Sequence, residues 1–305
     1  MLRFAYKLPL EETLVMNYSL LLCLPLVFLF ISPGNADQAS DKKKESDNVY
    51  APLIDQGLEV VEFDVDVDGR QVPAVIASPS KEKIHSDPLL LLTIGGANTH
   101  LLPPNDLPAK YFLERGHRAV SLSVPSVASS LGTFGEMAAE GPDPTLEFIE
   151  EAQAVIDYCI VQGWAKPDRI VVTGISRYAY MAFRLMAADE RLNIGGGFAP
   201  VTDWRDLSEI EPMKDKPEII DLRLSKFADD LSGKKIYMAI GNHDDRVGTL
   251  SCCQFFLDLN TANEKKGLSR SLVDFFVTPD LGHRCGDEWY ERGMEILLNT
   301  AQQQD

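Results

Sequence analysis

The feature that most restricts the fold of this chain is a hairpin-like segment followed by apolar runs that alternate with helical patterns. Residues 58–78 alternate apolar and polar side chains around Asp68–Gly69, which is typical of two antiparallel strands joined by a tight turn. Residues 89–96, LLLLTIGG, are apolar up to the glycines, as in a strand buried on both faces. Five further strands are predicted, at 118–125, 168–176, 194–201, 234–242 and 271–279.

Helical patterns separate these strands. The clearest covers residues 144–164, where apolar residues recur at helical spacing after Asp143 and Pro144 and stop at Gly163. Four more helices are predicted, at 109–117, 177–189, 249–267 and 287–303. Strands that alternate with helices predict an α/β protein with a doubly wound, mostly parallel sheet, here preceded by an N-terminal β-hairpin.

Residues 53–305 are predicted to form one domain, because 45% of the chain is hydrophobic and its length suffices for one large core. Residues 203–233 interrupt the alternation of strands and helices. They are rich in charge, and we interpret them as a small helical cap inserted over the C-terminal edge of the sheet. Trp204 and Arg205 are our candidates for lining the space beneath this cap.

The N-terminal residues are typical of a targeting segment. The apolar run SLLLCLPLVFLFI at 19–31 has the length of a signal-peptide core and is short for a membrane span. The small residues of GNA at 34–36 predict cleavage after Ala36, so that residues 1–36 are a signal peptide and the protein is exported to the periplasm or secreted. An uncleaved anchor is the alternative, and Met16 is an alternative start.

Residues 37–52 are polar and charged, which predicts a mobile leader without a stable membrane anchor after cleavage. The whole chain has a formal net charge of −17, from 46 acidic and 29 basic side chains. Nucleic acids and anionic membranes require a cationic surface, so this balance disfavours both as partners. Oligomeric state is not readable from these features.

Reactive side chains follow three of the predicted strands. Ser176 ends one strand, Asp244 and Asp245 follow another, and His283 follows the last. In open α/β sheets the carboxyl ends of parallel strands meet at one edge, where ligands bind. A serine becomes nucleophilic when an imidazole takes its proton, and that imidazole needs a carboxylate to orient it. The sequence therefore predicts a Ser–Asp–His triad, with a helix cap as the alternative role for the serine and for the aspartate.

Backbone N–H groups near Ser176 could stabilise the oxyanion of acyl transfer. Arg177 opens the helix after the serine, so its N–H is one candidate donor. The glycine-rich loop after the strand at 89–94 supplies the others, at Gly96 and Ala97. The side chain of Arg177 is a candidate for binding a substrate carboxylate or for pairing with acidic residues of the cap.

Three motifs resemble the α/β-hydrolase superfamily, within it the prolyl-oligopeptidase-like and dienelactone-hydrolase-like serine hydrolases. GISRYAYMAFRLMAADERL at 174–192 resembles the nucleophile strand and helix, IGNHDDRVG at 240–248 the acid loop, and LGHRCGDEW at 281–289 the histidine loop. The resemblance covers about residues 85–300 and assigns the acid to Asp244. It implies an acyl-enzyme, a small ester or peptide substrate, either carboxylesterase or peptidase activity, and no metal or organic cofactor.

The sequence departs from this pattern at Tyr178. The family motif G-x-S-x-G has glycine two residues after the serine, because the residues that flank the turn approach closely. Gly174 supplies the first glycine, whereas Tyr178 brings a β-carbon and a ring. Either the ring swings outward, where it would contact substrate, or the turn relaxes. The second outcome predicts a non-catalytic ligand-binding protein on a hydrolase scaffold.

Two further expectations concern side chains around these loops. His100 follows the proposed oxyanion loop, where we expect a surface histidine more than a substrate contact. Cys285 lies two residues after His283, and Cys252 and Cys253 follow the acid loop. A disulfide between Cys285 and one of that pair would join the two loops, and buried free thiols are the alternative.

Overall fold

The computed structural model describes residues 49–95, 100–123 and 130–303 of the chain. They form an eight-stranded sheet with helices on both faces. The predicted signal peptide and most of the leader lie outside the described residues. The strands are β1 Leu58–Val67, β2 Arg70–Pro79, β3 Leu90–Gly95, β4 Arg118–Ser123, β5 Ile170–Ile175, β6 Ile194–Phe198, β7 Lys235–His243 and β8 Val273–Leu281.

The strand order in the sheet is β1-β2-β4-β3-β5-β6-β7-β8. β1 and β2 form the predicted antiparallel hairpin, whose turn has Asp68 at φ 52° and Gly69 at φ 84°. Both turn residues have positive φ, which matches the right-handed twist of the strands that they join. β2 also pairs antiparallel with β4, and every pairing from β4 to β8 is parallel. The predicted doubly wound, mostly parallel sheet is thus confirmed.

Nine α-helices lie in the described part of the chain. They are α1 Ala51–Ile54, α2 Leu107–Glu114, α3 Leu131–Glu140, α4 Thr145–Val161, α5 Arg177–Ala188, α6 Pro217–Asp221, α7 Ala228–Leu231, α8 Thr249–Lys265 and α9 Asp287–Gln302. None of these helices has both the length and the apolar character that a membrane span requires, among the residues that the structure describes.

Helices α5 and α9 approach the glycine run of β6 closely. A β-carbon at Gly197 would lie 2.8 Å from the ring of Phe183 in α5, and one at Gly196 would lie 2.9 Å from Leu297 in α9. The absence of side chains at these positions therefore allows a helix to pack tightly on each face of the sheet. This packing holds α5, the helix that follows Ser176, against the sheet.

The cap segment at 203–233 consists of short helical turns instead of one regular helix. α6, α7 and the 3₁₀ turns Trp204–Asp206, Ser208–Met213 and Leu224–Phe227 make up most of it. No element was predicted from the sequence at α3, yet this helix packs on the cap. A β-carbon at Gly135 of α3 would lie 2.4 Å from the side chain of Ile210. The sequence of α3 contains two glycines, which are poor helix formers, so the local pattern alone gave little signal.

The expectation of a disulfide between the acid and histidine loops is wrong. Cys159, Cys252, Cys253 and Cys285 are all free thiols. Cys252 is buried in the core on one face of the sheet, and its thiol donates to the carbonyl of Pro200 at 3.3 Å. Cys285 packs against the core on the other face. The sheet itself separates these two sulfur atoms.

Candidate active site

Ser176 occupies a sharp turn between β5 and α5. Its φ is 58° and its ψ is −124°, a conformation that costs a residue with a β-carbon about 1–3 kcal/mol. Neighbouring backbone holds the turn in place. The Ser176 N–H donates to the carbonyl of Phe198 at 2.8 Å, and the N–H of Val201 donates to the Ser176 carbonyl at 3.1 Å. The strained turn therefore depends on contacts with β6 and the segment that follows it.

The turn is tight even though Tyr178 stands where the family motif has glycine. A β-carbon at Gly174 would lie 2.3 Å from the carbonyl carbon of Tyr178, so the two backbones touch. The Tyr178 ring points away from this contact and is half-buried. It meets the imidazole of His100 edge-on, with ring centroids 5.7 Å apart and planes at 90°. Of the two outcomes considered from the sequence, the structure has the outward ring.

The three side chains predicted for the triad converge at the C-terminal edge of the sheet. Nε2 of His283 lies 2.9 Å from Oγ of Ser176, and Nδ1 of His283 lies 2.8 Å from Oδ2 of Asp244. With the proton on Nδ1, the imidazole donates to the carboxylate and accepts from the serine hydroxyl. This arrangement can remove a proton from Ser176 and place the positive charge beside a carboxylate.

Asp244 is held by the loop after β7 and is 2% exposed. Its Oδ1 accepts hydrogen bonds from the N–H groups of Arg246 at 3.0 Å and Val247 at 3.1 Å. Burial by itself raises the pKa of this carboxyl. The hydrogen bond and charge of His283, together with the two backbone donors, outweigh burial and lower the pKa below its ordinary value. Asp245 is exposed.

Close contact between two loops positions His283. A β-carbon at Gly241 of β7 would lie 2.8 Å from the carbonyl oxygen of Asp280. The N–H of Gly282 donates to the carbonyl of His243 at 3.1 Å, and Gly282 has φ 70°. The chain therefore turns beside β7 immediately before His283, which brings the imidazole over the acid loop.

A cavity of about 330 Å³ opens at Ser176. Besides Ser176 and His283, its wall contains His100, Asn105, Leu131, Ile175, Arg177, Tyr178 and Arg246. Tyr178 thus lies where a substrate contact was predicted. Four wall residues were not predicted from the sequence: Asn105, Leu131, Ile175 and Arg246. Leu131 belongs to the unpredicted helix α3, and nothing in the pattern around Asn105 distinguished it from a loop residue.

Two expectations about this cavity are wrong. His100 is 3% exposed and not on the surface, and burial lowers the pKa of its imidazole to about 4. Trp204 is 1% exposed and does not reach the cavity. Its indole stacks on Phe134 of α3, with ring centroids 4.1 Å apart, and meets Tyr180 edge-on. Trp204 was expected to line the space beneath the cap, but it packs in the core between cap and domain and is absent from the cavity wall.

The predicted oxyanion donors are only partly within the described structure. Arg177 is the first residue of α5, where the helix dipole concentrates partial positive charge next to Ser176. Gly96 and Ala97 lie outside the described residues, between Gly95 and His100. The side chain of Arg177 donates to the Tyr178 hydroxyl at 3.0 Å.

Ion pairs connect the cap to the site. The Arg246 guanidinium, two residues after Asp244, forms two hydrogen bonds of 2.6 Å with the Glu209 carboxylate of the cap. The hydrogen bond from Arg246 is the main reason that the pKa of Glu209 falls to about 2.

A second ion pair is formed by a buried side chain of α5 itself. Arg184 is 4% exposed and bonds the carboxylate of Asp143 at 2.7 Å and the hydroxyl of Tyr180 at 3.0 Å. That hydroxyl in turn donates to the carbonyl of Leu222 in the cap at 2.8 Å. The helix that follows Ser176 is therefore bonded to the cap through a buried polar network.

Comparison with solved structures finds the same architecture in hydrolases of low sequence identity. A cold-adapted esterase from an Arctic intertidal metagenomic library is 19% identical, with a TM-score of 0.56 over 81% of this chain and 92% of that one. A putative dienelactone hydrolase from Klebsiella pneumoniae is 14% identical, with a TM-score of 0.58 over 81% and 99%. At these low sequence identities, the comparison shows that the folds are similar and shows nothing further.

A larger protein also contains this architecture. A putative dipeptidyl aminopeptidase IV from Bacteroides ovatus is 16% identical, with a TM-score of 0.60 over 81% of this chain. The match covers 36% of that protein, so this chain spans about a third of its length. No protein-family model and no curated protein matches the sequence.

Proposed function

We propose that this chain, which has the α/β-hydrolase fold of its structural neighbours, is a serine hydrolase that cleaves an ester or amide bond through an acyl-enzyme. One observation carries the proposal. The hydroxyl of Ser176, the imidazole of His283 and the carboxylate of Asp244 form a continuous hydrogen-bonded chain of 2.9 and 2.8 Å at the mouth of a cavity. The strained backbone at Ser176 adds support, because such strain concentrates at functional sites.

In the proposed reaction, Oγ of Ser176 attacks the substrate carbonyl while Nε2 of His283 takes the hydroxyl proton. The carbonyl π electrons move to oxygen, and the N–H of Arg177 stabilises that oxyanion. The other donors expected from the sequence, at Gly96 and Ala97, lie outside the described residues. The intermediate collapses as the leaving group departs with the proton from His283. A water molecule then attacks the acyl carbonyl while His283 takes its proton. The bond to Oγ breaks, which releases the carboxylic acid and restores the Ser176 hydroxyl.

Asp244 has a supporting part in this reaction. Its lowered pKa keeps the carboxylate ionised at neutral pH, so it can hold the His283 proton on Nδ1 and stabilise the imidazolium. Burial of Asp244 strengthens this interaction, because water does not screen it.

The substrate class is an ester or an amide, since both bonds are cleaved by the same acyl-transfer steps. The neighbours include a protein described as an esterase, a putative dienelactone hydrolase and a putative dipeptidyl aminopeptidase. We further propose that the protein is exported, on the strength of the apolar run at 19–31 and the small residues at 34–36. An N-terminal sequence that begins at Asp37 in the mature protein tests this proposal.

The competing function, a non-catalytic ligand-binding protein, depends on a relaxed turn at Ser176. The contact between Gly174 and Tyr178 and the positive φ of Ser176 argue against that relaxation. A fluorophosphonate probe separates the two functions, because it phosphonylates only a serine activated by a neighbouring base. We expect the wild type to be labelled, and Ser176→Ala to lose the label while Ser86→Ala, at an exposed serine, keeps it. A folded wild type that is not labelled would favour the binding protein.

A further inference from the structure

The ring of Tyr178 forms a fixed part of the cavity wall beside Ser176. One side of the ring receives the edge-on contact with His100, and the hydroxyl at its tip accepts a hydrogen bond from Arg177 at 3.0 Å. The Arg177 guanidinium also lies 4.9 Å from the ring centre. The ring is therefore held at both its body and its tip.

The imidazole that supports this ring is closely packed. His100 is 3% exposed, and its Nδ1 lies 3.4 Å from the hydroxyl of Thr93. Its ring fills the space next to the end of β3, because a β-carbon at Gly95 would lie only 2.1 Å from Cδ2 of His100. Tight packing around His100 leaves Tyr178 no room to retreat when a larger group enters the cavity.

The topology of the sheet indicates which part of a substrate lies next to the Tyr178 ring. β5, which carries Ser176, lies between β3 on one side and β6, β7 and β8 on the other. His100 and Tyr178 meet on the β3 side, whereas His283 comes from the β8 side. The histidine of an acyl-transfer site gives its proton to the leaving group, so the leaving group lies near His283. The carbonyl oxygen and the acyl chain then both lie away from His283, with the oxygen at the N–H of Arg177 and the acyl chain next to the Tyr178 ring.

We infer that Tyr178 is a specificity-determining residue that disfavours long chains in the acyl part of the substrate. The inference rests on the proposed function and names its substrate class: esters or amides of small carboxylic acids. A glycine at position 178 would leave the side of the cavity in front of His100 open. The tyrosine occupies that space, so an acyl chain that extends toward His100 meets the ring.

The test is a series of p-nitrophenyl esters whose acyl chain grows from acetyl to decanoyl while the leaving group stays constant. We expect kcat/KM of the wild type to fall as the acyl chain lengthens from acetyl to decanoyl. In Tyr178→Ala the ratio of kcat/KM for octanoyl to that for acetyl rises by roughly tenfold or more, since a few methylenes that fit a pocket discriminate at least that strongly. Tyr178→Phe keeps the ring and keeps the wild-type ratio.

The matched control is Tyr111→Ala. Tyr111 is also half-buried and also contacts an arginine, with Arg115 3.4 Å from its ring centre, but it does not line the cavity. This variant should keep the wild-type profile. A second series keeps the acetyl group and varies the alcohol. Tyr178→Ala should leave the order of those esters unchanged.

Three results would overturn the inference. They are a wild type that hydrolyses octanoyl as well as acetyl esters, a Tyr178→Ala profile equal to that of the wild type, and a change confined to the alcohol series. Fluorophosphonate labelling distinguishes these results from failure of the proposed function. A labelled protein with an unchanged profile refutes only the role of Tyr178, whereas an unlabelled protein that hydrolyses no ester refutes the function itself.

Discussion

Gly174 and Tyr178 touch through their backbones across the turn that carries Ser176, with only 2.3 Å between a β-carbon placed on the glycine and the carbonyl carbon of the tyrosine. Gly174→Ala must therefore open the turn and move Oγ of Ser176 away from His283. We expect kcat/KM to fall at least about a hundredfold, the effect of a misplacement of about 1 Å. The matched control is Gly132→Ala, where a β-carbon meets no atom within 4 Å. Equal activity of the two variants would contradict this account of the turn.

Asp244→Asn should lower kcat by about 10⁴-fold. The amide would turn an N–H toward Nδ1 of His283, which favours the tautomer with its proton on Nε2 and leaves Ser176 without a base. Steady-state kinetics on a short acyl ester measures the effect, with circular dichroism as the check of folding. Asp245→Asn is the control, because this adjacent carboxylate is exposed, and it should stay within about twofold of the wild type.

His100 makes the stability of the protein depend on pH. Burial lowers the pKa of its imidazole from 6.5 to about 4, so the unfolded chain binds more protons than the folded protein between those values. The free energy of unfolding therefore falls as the pH drops from 6.5 toward 4. His100→Gln removes this contribution and should flatten the decline by up to about 3 kcal/mol.

Denaturant unfolding of both proteins at several pH values measures the difference. Above pH 7.5 His100 is neutral in both states, so the wild type and His100→Gln should there have parallel curves. Equal slopes between pH 6.5 and 4 would show that this imidazole is not buried in its neutral form.

Arg184 should contribute strongly to stability. Its side chain is 5% exposed and pairs with Asp143, so Arg184→Met leaves a partly buried carboxylate without its partner. We expect a loss of about 3 kcal/mol in the free energy of unfolding. Lys214→Met removes an ion pair with Glu211 in which both side chains are exposed, and should cost less than about 1 kcal/mol. Equal losses would mean that the Arg184 network does not join α5 to the cap.

The sheet was predictable because its strands and helices have clear and different periodicities. The hairpin turn at Asp68–Gly69 and the alternation from β3 to α9 follow from local patterns. Helix α3 was missed because its sequence, LGTFGEMAAE, contains two glycines, and its small residues serve contact with Ile210 in the cap. Contacts between distant segments leave no periodic signal.

Part of the candidate site could likewise be predicted from the sequence, and part could not. Ser176, Asp244 and His283 follow strands, and the topology of a parallel sheet brings strand ends together, so their convergence could be inferred. The burial of Trp204 and His100 could not, because the direction of each side chain depends on partners far away in sequence, such as Phe134 for Trp204. For the same reason the sequence did not show that Cys252 and Cys285 lie on opposite faces of the sheet.

The most direct test of the account is to trap the acyl-enzyme. Wild-type protein is mixed with p-nitrophenyl acetate, quenched in acid within milliseconds, digested and analysed by mass spectrometry. We predict one acetyl group on the peptide that contains Ser176, in an amount equal to the initial burst of p-nitrophenol, and no such adduct in Ser176→Ala. Rapid ester hydrolysis that persists in Ser176→Ala, or an acetyl group on another residue, would contradict the account.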